Sequence, residues 1–201
     1  MAASVYLIPT VLAEGETGCL PAYILDAVKQ CSVFFVENER TARRYLKLLW
    51  KEMVIDDYQW HNMKEANAVV KASFVQAIKE ERTIGIISEA GCPGVADPGQ
   101  VLVSIAQQMN VTVRPLVGPN SILLALMASG MNGQHFQFLG YLPIDQSKRI
   151  QTIKGIEAES KDKNCTQIFI ETPYRNNQLM ESLVKTCHPQ TLLCVAADIT
   201  A

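Results

Sequence analysis

Residues 84–128 read IGIISEAGCPGVADPGQVLVSIAQQMNVTVRPLVGPNSILLALMA. Two apolar runs, Thr83–Ile87 and Val111–Leu116, each lead into a loop rich in glycine and proline, and each loop leads into an apolar-periodic helix. The loops are SEAGCPGVADPG (88–99) and LVGPNS (116–121). Strand, loop and helix, repeated, is the pattern of an open α/β sheet, where such loops gather outside the carboxyl ends of the strands and bind ligands. A βα turn of purely structural use explains one such loop; a second at the matching place argues for a binding site. Gly91, Gly94 and Gly99 admit conformations that other residues resist, so backbone can approach a small molecule closely. Pro93 and Pro98 stiffen the first loop. Asp97 before Pro98 predicts a helix start, an acceptor followed by proline at the first helical position. Glu89 stands at the strand's end, where a carboxylate can face a hydroxyl or a cation. The two loops are expected to form the walls of one slot. Neither GxGxxG nor GxxxxGK occurs, so the dinucleotide and phosphate-loop patterns are absent.

Outward from this stretch, the rest of the chain alternates in the same way. Val5–Ile8 predicts a first strand ending at Pro9-Thr10, Pro21 opens a helix to about Lys29, and Ser32–Val36 predicts a second strand. The segment ENERTARRYLKLLWKEM (37–53) predicts an amphipathic helix. Its Arg40, Arg44, Lys47 and Lys51 form one stripe; Ala42, Tyr45, Leu46, Leu49 and Met53 lie opposite. A basic stripe is either a solvated outer face or a surface for phosphates. Tyr58–His61 predicts a short strand and Met63–Glu80 a helix with Lys64, Glu65 and Lys71 on its solvated side. In the second core helix Asn120 or Ser121 is the cap, and Gly130 ends it. Around residues 131–135 the rhythm resets. A boundary there divides the chain into an N-terminal α/β domain, 1–132, and a C-terminal α/β domain, 133–201. The second domain is predicted to hold a strand at Phe136–Tyr141, a helix from Asp145 to about Ser160 and a strand at Thr166–Ile170. A turn at Glu171-Thr172-Pro173, a helix from Arg175 to Thr186 and a last strand at Thr191–Ala196 follow.

The 201 residues are 48% hydrophobic and 19% charged, a globular composition with material for a sizeable core. No apolar run approaches the ~20 residues that span a bilayer, and the first ten residues lack the basic start of a signal peptide. A net charge of -2 gives no global pull toward nucleic acid, so any RNA surface must be a local patch. The six cysteines contain no CxxC pair, and with no export signal they are expected to be reduced, in the cytoplasm. Cys92 lies inside the first loop and is expected to contribute its backbone rather than its sulfur. The three histidines show no metal-ligand spacing, so no metal is expected.

Five stretches carry a resemblance. SEAGCPGVADPG and RPLVGPNSILLALMASG resemble the tetrapyrrole methylase family, the class III S-adenosylmethionine-dependent methyltransferases, which read approximately SDAGTPxxxDPG and PLPGPSAxxxALxxSG. FQFLGYLP (136–143), VENERTARRYL (36–46) and FIETPYR (169–175) match that family's FxFxGFLP, AEDTRxTxxLL and FYESPHR in the same order. The branch most similar is the bacterial one that methylates a ribose 2′-hydroxyl of small-subunit ribosomal RNA. Where that branch has PTPIGNL, this chain has PTVLAEGETG, and Asn38 and Thr41 replace an Asp and a His.

The resemblance implies two α/β domains, the first with a mostly parallel sheet, the second smaller, mixed and incomplete. It implies S-adenosylmethionine in the cleft between them, near Pro9, Glu89, Ala90, Gly91, Cys92, Asp97, Gly118, Asn120, Ser121, Ile122, Leu139, Gly140 and Thr172. Glu37, Arg40, Glu171 and Arg175 are the implied catalytic set. Glu37 or Glu171 is placed to accept a hydroxyl proton and Arg175 to hold a substrate phosphate. Ribosomal RNA, contacted through Arg40, Arg44, Lys47 and Lys51, is the implied partner, and a homodimer the implied assembly. Methyl transfer is mostly positioning, so the lack of a nucleophile–base pair is compatible with it. A methylase of a small molecule such as a tetrapyrrole precursor, and an adenosyl-binding module without catalysis, are the competing readings.

Overall fold

The computed structural model describes residues 3–64 and 66–201, so Glu65 lies outside the described residues. Two compact units are present: the described residues up to Ser121 together with Asp198–Ala201, and Ile122–Ala197.

The first unit is built on five strands: β1 (Ser4–Ile8), β2 (Val33–Val36), β3 (Gln59–Asn62), β4 (Thr83–Ile87) and β5 (Thr112–Pro115). They pair side by side in the order β3-β2-β4-β1-β5, and every pairing is parallel. An all-parallel sheet needs cover on both faces, and its inner strands then read as continuous apolar runs. All four residues of β2 are buried. Helices α1 (Ile24–Gln30) and α2 (Glu39–Leu49) pack with Tyr6, Ile8, Phe34, Val36 and Ile87 on one face. Helices α3 (Ala68–Lys79) and α4 (Gly99–Gln108) pack with Val5, Val33, Phe35, Ile84 and Ile86 on the other. Gly85 lies where a Cβ would be 2.7 Å from Phe34 Cδ1 and 2.9 Å from Ile8 Cδ1, so the absent side chain makes room for that aromatic core.

This topology fixes a particular place. β1 and β4 are neighbours, yet the chain leaves β1 toward the face carrying α1 and leaves β4 toward the face carrying α4. Connections that part to opposite faces open a crevice at the carboxyl ends of the two strands. Pro9-Thr10 and Ser88–Gly99 are the segments that emerge there.

Helix limits depart from expectation for identifiable reasons. α1 starts at Ile24, three residues after Pro21. α2 ends at Leu49, with Trp50 already extended, so Lys51 is not on the helical stripe. Asn67 caps α3, accepting from the Val69 and Val70 N–H groups, and Ala66 ahead of it has φ 40°. Met63 and Ala66 are therefore buried in the connection rather than in the helix. A short polar side chain that can satisfy the first free donors outcompetes helical extension. α4 begins at Gly99 after Pro98, one residue later than the Asp-Pro pair predicts.

The second unit contains most of α5 (Ser121–Ser129), the parallel strands β6 (Phe136–Tyr141) and β7 (Thr166–Ile170), and helices α6 (Gln146–Lys163) and α7 (Asn176–Thr186). Gly130 follows α5 at φ 69°, the left-handed cap expected of it. Asp145 caps α6 by accepting from the Lys148 N–H at 2.9 Å, and the helix runs to Lys163, three residues beyond the predicted Ser160, where left-handed Asn164 ends it. Leu142, Ile153, Leu179 and Leu183 form the core. Buried Arg149 ties the chain after β6 to α7, donating to Ile144 O at 2.8 Å and Ser182 Oγ at 3.1 Å.

β6 carries a bulge: Phe138 pairs with Ile168, but the next pair is Tyr141 with Ile170. Ile168 and Ile170 share a face because they are two apart, so Phe138 and Tyr141 also share one, although they are three apart. Gly140, at φ 69°, absorbs the extra residue.

The predicted last strand, Thr191–Ala196, is not one. Among the described residues that segment is unpaired, and Leu192 and Val195 are exposed. A β-branched apolar run becomes a strand only where a neighbour accepts its backbone hydrogen bonds.

Candidate functional site

At the carboxyl ends of β1, β4 and β5 three loops interlock through backbone. The Thr10 N–H donates to Gly91 O at 2.9 Å, and the Thr10 hydroxyl donates to Ser88 O at 3.5 Å. From α2, the buried Tyr45 hydroxyl donates to Pro9 O at 2.6 Å, and burial pushes that phenol's pKa up. The loop after β5 then lies directly on Pro9: a Cβ at Gly118 would fall 2.2 Å from Pro9 Cβ. Only glycine permits that approach. Gly91, at φ 69°, passes beside Pro119 O in the same manner. The Tyr23 hydroxyl accepts from the Val117 N–H at 2.7 Å and holds the same loop from α1's side.

The loops headed by Glu89 and Gly118 are thus together, but in contact rather than across an open slot. The Cys92 thiol lies 3.4 Å from Pro119 O and 3.6 Å from Gly118 O, and burial raises its pKa. The Cys92 sulfur thus packs against the neighbouring loop. The surface left to a ligand is the outer rim, where Glu89, Ala90, Val117 and Ser121 are exposed. Gly94, at φ 85°, adds an open stretch to that rim, with nothing within 4 Å of where its Cβ would be. Asp97 is occupied inside the loop, accepting from Gly94 N at 2.7 Å and Gly99 N at 2.6 Å. Burial raises its pKa, the two N–H groups oppose the rise, and the charge of Glu37 adds to it. Its role is to hold the loop and start α4.

Beside this rim, at the end of β2, Glu37 Oε2 accepts from the Glu89 N–H at 3.1 Å. The Thr41 hydroxyl reaches Glu89 Oε1 at 2.7 Å and Asn38 O at 3.1 Å. The two carboxylates therefore sit together on a fixed frame. Arg40 is exposed in the first turn of α2. Thr41 holds this frame, Tyr45 and Tyr23 hold the neighbouring loops, and none of the three declares itself in sequence. Thr41 was visible only as a departure from a family pattern, Tyr45 only as a core residue.

The basic stripe is partly engaged. Arg44 pairs with Glu14 at 2.6 Å, both exposed. Lys47 donates to Met53 O at 3.0 Å and to Lys51 O, closing the helix end.

In the second unit, Ile122 is in the first turn of α5, and Leu139 and Gly140 form the bulge of β6. Glu171, Thr172 and Arg175 make a closed knot. Arg175 Nη2 pairs with Glu171 Oε1 at 2.5 Å, with side-chain exposures of 14% and 8%. Thr172 N donates to the same carboxylate at 2.7 Å, and Arg175 Nε donates to Thr172 Oγ1 at 3.2 Å. Glu171 therefore acts as the counter-ion of Arg175.

Among the described residues no group of three or more His, Cys, Asp or Glu could hold a metal ion, and no helix is long and apolar enough to cross a membrane.

No protein-family model matches the chain. It is similar to proteins named ribosomal RNA small subunit methyltransferase I. With that of Halalkalibacterium halodurans it is 28% identical over 181 residues, covering 90% of this chain and 59% of the relative. With that of Mesorhizobium japonicum it is 26% identical over 197 residues, covering 98% and 64%. The chain thus spans about three fifths of the length of the curated relatives it matches. Among solved structures, the methyltransferase CobJ superposes with a TM-score of 0.59 at 16% identity, over 94% of this chain and 77% of that one. A conserved hypothetical protein from Aeropyrum pernix K1 superposes with a TM-score of 0.56 at 18% identity, over 79% and 54%. The two structures share the fold; the relatives bear out the resemblance that the five motifs carry.

Proposed function

We propose, from the resemblance to the tetrapyrrole methylases, that this chain is part or all of an S-adenosylmethionine-dependent methyltransferase acting on a ribose 2′-hydroxyl of small-subunit ribosomal RNA. The observation that carries the reading is the interlocked rim at the β1/β4 crevice, built from Pro9, Gly91 and Gly118 where neighbouring strands part to opposite faces. A ligand with an adenosyl group needs backbone at close range and few side chains in the way, and the small residues Ala90, Gly91, Gly94 and Gly118 support that use of the rim. Glu89 to Cys92 and Gly118 to Ser121 would hold it. S-adenosylmethionine, when bound, supplies an electrophilic methyl group on a sulfonium.

The chain's own part is positioning and proton handling. Glu37 and Glu89 stand beside the rim with their separation set by the Glu89 N–H and the Thr41 hydroxyl. Glu37 takes the proton that a 2′-hydroxyl must lose, since Glu171 is committed to Arg175. Arg40 and Arg44, on the exposed side of α2, contact phosphates of the acceptor strand. A ribosomal RNA acceptor would place the protein in the cytoplasm, and a second copy is the assembly the resemblance implies.

Two measurements test this. Calorimetry should show stoichiometric uptake of S-adenosylhomocysteine, weakened at least about tenfold by Gly118→Ala, which displaces the rim from Pro9. Primer extension at low nucleotide concentration on small-subunit ribosomal RNA from a deletion strain should lose one ribose-methylation stop. Unchanged stops in that strain would remove the RNA assignment.

A further inference from the structure

Two tyrosines flank one guanidinium at the carboxyl ends of β6 and β7. The Arg175 guanidinium carbon lies 5.7 Å from the centroid of the Tyr141 ring and 5.7 Å from that of Tyr174. Both rings stand out of the fold, with Tyr141 55% and Tyr174 81% exposed. Neither position is accidental in the local backbone. Tyr141 is carried to the face of Phe138 by the bulge at Leu139-Gly140; a regular strand would turn it to the opposite face. Tyr174 is carried by the short turn Pro173–Arg175, whose geometry the knot of Glu171, Thr172 and Arg175 fixes.

Two exposed aromatic faces around a held cation call for a flat, electron-rich partner. The charge of Arg175 is already balanced by Glu171 at 2.5 Å, so its attraction for a phosphate is weakened. Its planar face and the two rings can still stack. A nucleobase that is not paired in a duplex presents such a plane, and aromatic residues beside arginine are how unpaired bases are gripped. We infer that Tyr141, Tyr174 and Arg175 form a stacking platform for an unpaired base of the RNA acceptor, an inference that rests on the functional reading above. The platform reads shape and stacking, whereas the α2 arginines read backbone charge. It also replaces the expected role of Arg175 as a phosphate clamp.

The test is fluorescence anisotropy of the full chain with a short labelled oligoribonucleotide, single-stranded and then annealed to its complement. Tyr174→Ala should weaken single-strand binding by about 5- to 150-fold, the range for losing one stacked base. Tyr174→Trp should restore it, and Tyr141→Ala should weaken it in the same direction. Binding to the duplex should be little altered. The slope of affinity against salt should be the same in Tyr174→Ala as in wild type, since no phosphate contact is lost. Tyr174 is largely exposed, so thermal unfolding of the variant should match wild type. Wild-type binding that Tyr174→Ala and Tyr141→Ala leave unaltered overturns the platform while the functional reading stands, as does a loss that appears only as a reduced salt slope. Failure of wild type to bind any unpaired RNA overturns the platform as well. Failure to take up S-adenosylhomocysteine is the separate failure of the functional reading.

Discussion

The carboxyl ends of the strands are built by opposite means in the two units. In the first, β1, β4 and β5 end in loops that touch through backbone and glycine, with Gly118 laid on Pro9 and Thr10 bonded to Gly91. In the second, β6 and β7 end in side chains, with Arg175 held by Glu171 and Thr172 between two tyrosines. A backbone rim tolerates no added atoms where its loops touch, and the side chains that serve it, such as Tyr45, act by holding backbone in place. A side-chain knot tolerates changes of backbone but fails when one partner is removed. Each region should therefore break under a different kind of substitution.

The sharpest separation comes from the same change made in both. Gly118→Ala forces a Cβ into Pro9 and should destabilise the first unit by about 3 kcal/mol or more, since backbone must move. Gly140→Ala, at φ 69° with nothing within 4 Å, should destabilise by only about 1 kcal/mol, the strain of a left-handed alanine. Denaturant midpoints of the two variants check this, and equal shifts would erase the contrast. Next in size is Glu171→Ala. It leaves the largely buried Arg175 without its counter-ion and should cost about 3 kcal/mol, seen as faster hydrogen exchange in β7 and α7. Tyr45→Phe removes only the hydroxyl that holds Pro9 O, so a loss of about 1–2 kcal/mol is expected, with weaker S-adenosylhomocysteine uptake.

The smallest effect is a pH dependence inside the first loop. Burial raises the pKa of Asp97 in the folded chain, so the unfolded chain releases its proton first. Its contribution to stability is complete below the ordinary carboxylate range and is lost as pH rises through that range to the raised value. Asp97→Asn does not titrate there. The stability of wild type relative to this variant should therefore fall as pH rises across the window, measured by urea unfolding at several pH values.

Much of the fold was legible because local signals and the sheet agree. All but one of the predicted strands lie within about a residue of those in the structure, since most are apolar runs long enough to read as strands. The exception, Thr191–Ala196, carries the same apolar signal but finds no edge to pair with, and a neighbour is a tertiary fact. Helix starts slipped wherever an asparagine such as Asn67 could satisfy the first donors sooner than a longer helix would. In the site, the glycines announced the loops. What they could not announce is which atoms the loops would touch. That the Cys92 thiol lies on Pro119 O depends on contact between two loops 27 residues apart in the chain, and that Asp97 accepts from Gly94 N besides Gly99 N depends on how its own loop turns. Tyr141 was hidden for a similar reason: its placement depends on one extra residue in β6, which alternation counting does not reveal.

The inner position of β1, between β4 and the edge strand β5, has a kinetic corollary. Its two neighbours are β4 and β5, so Ser4 must wait for Thr83 and Thr112, about 80 and 110 residues downstream, before either edge is closed. On a ribosome, β1 emerges before both of its neighbours, and the loop after β5 can be laid on Pro9 only once β5 has docked. A nascent chain halted before Pro115 should present an unclosed β1 edge, a template for wrong pairing and for chaperones.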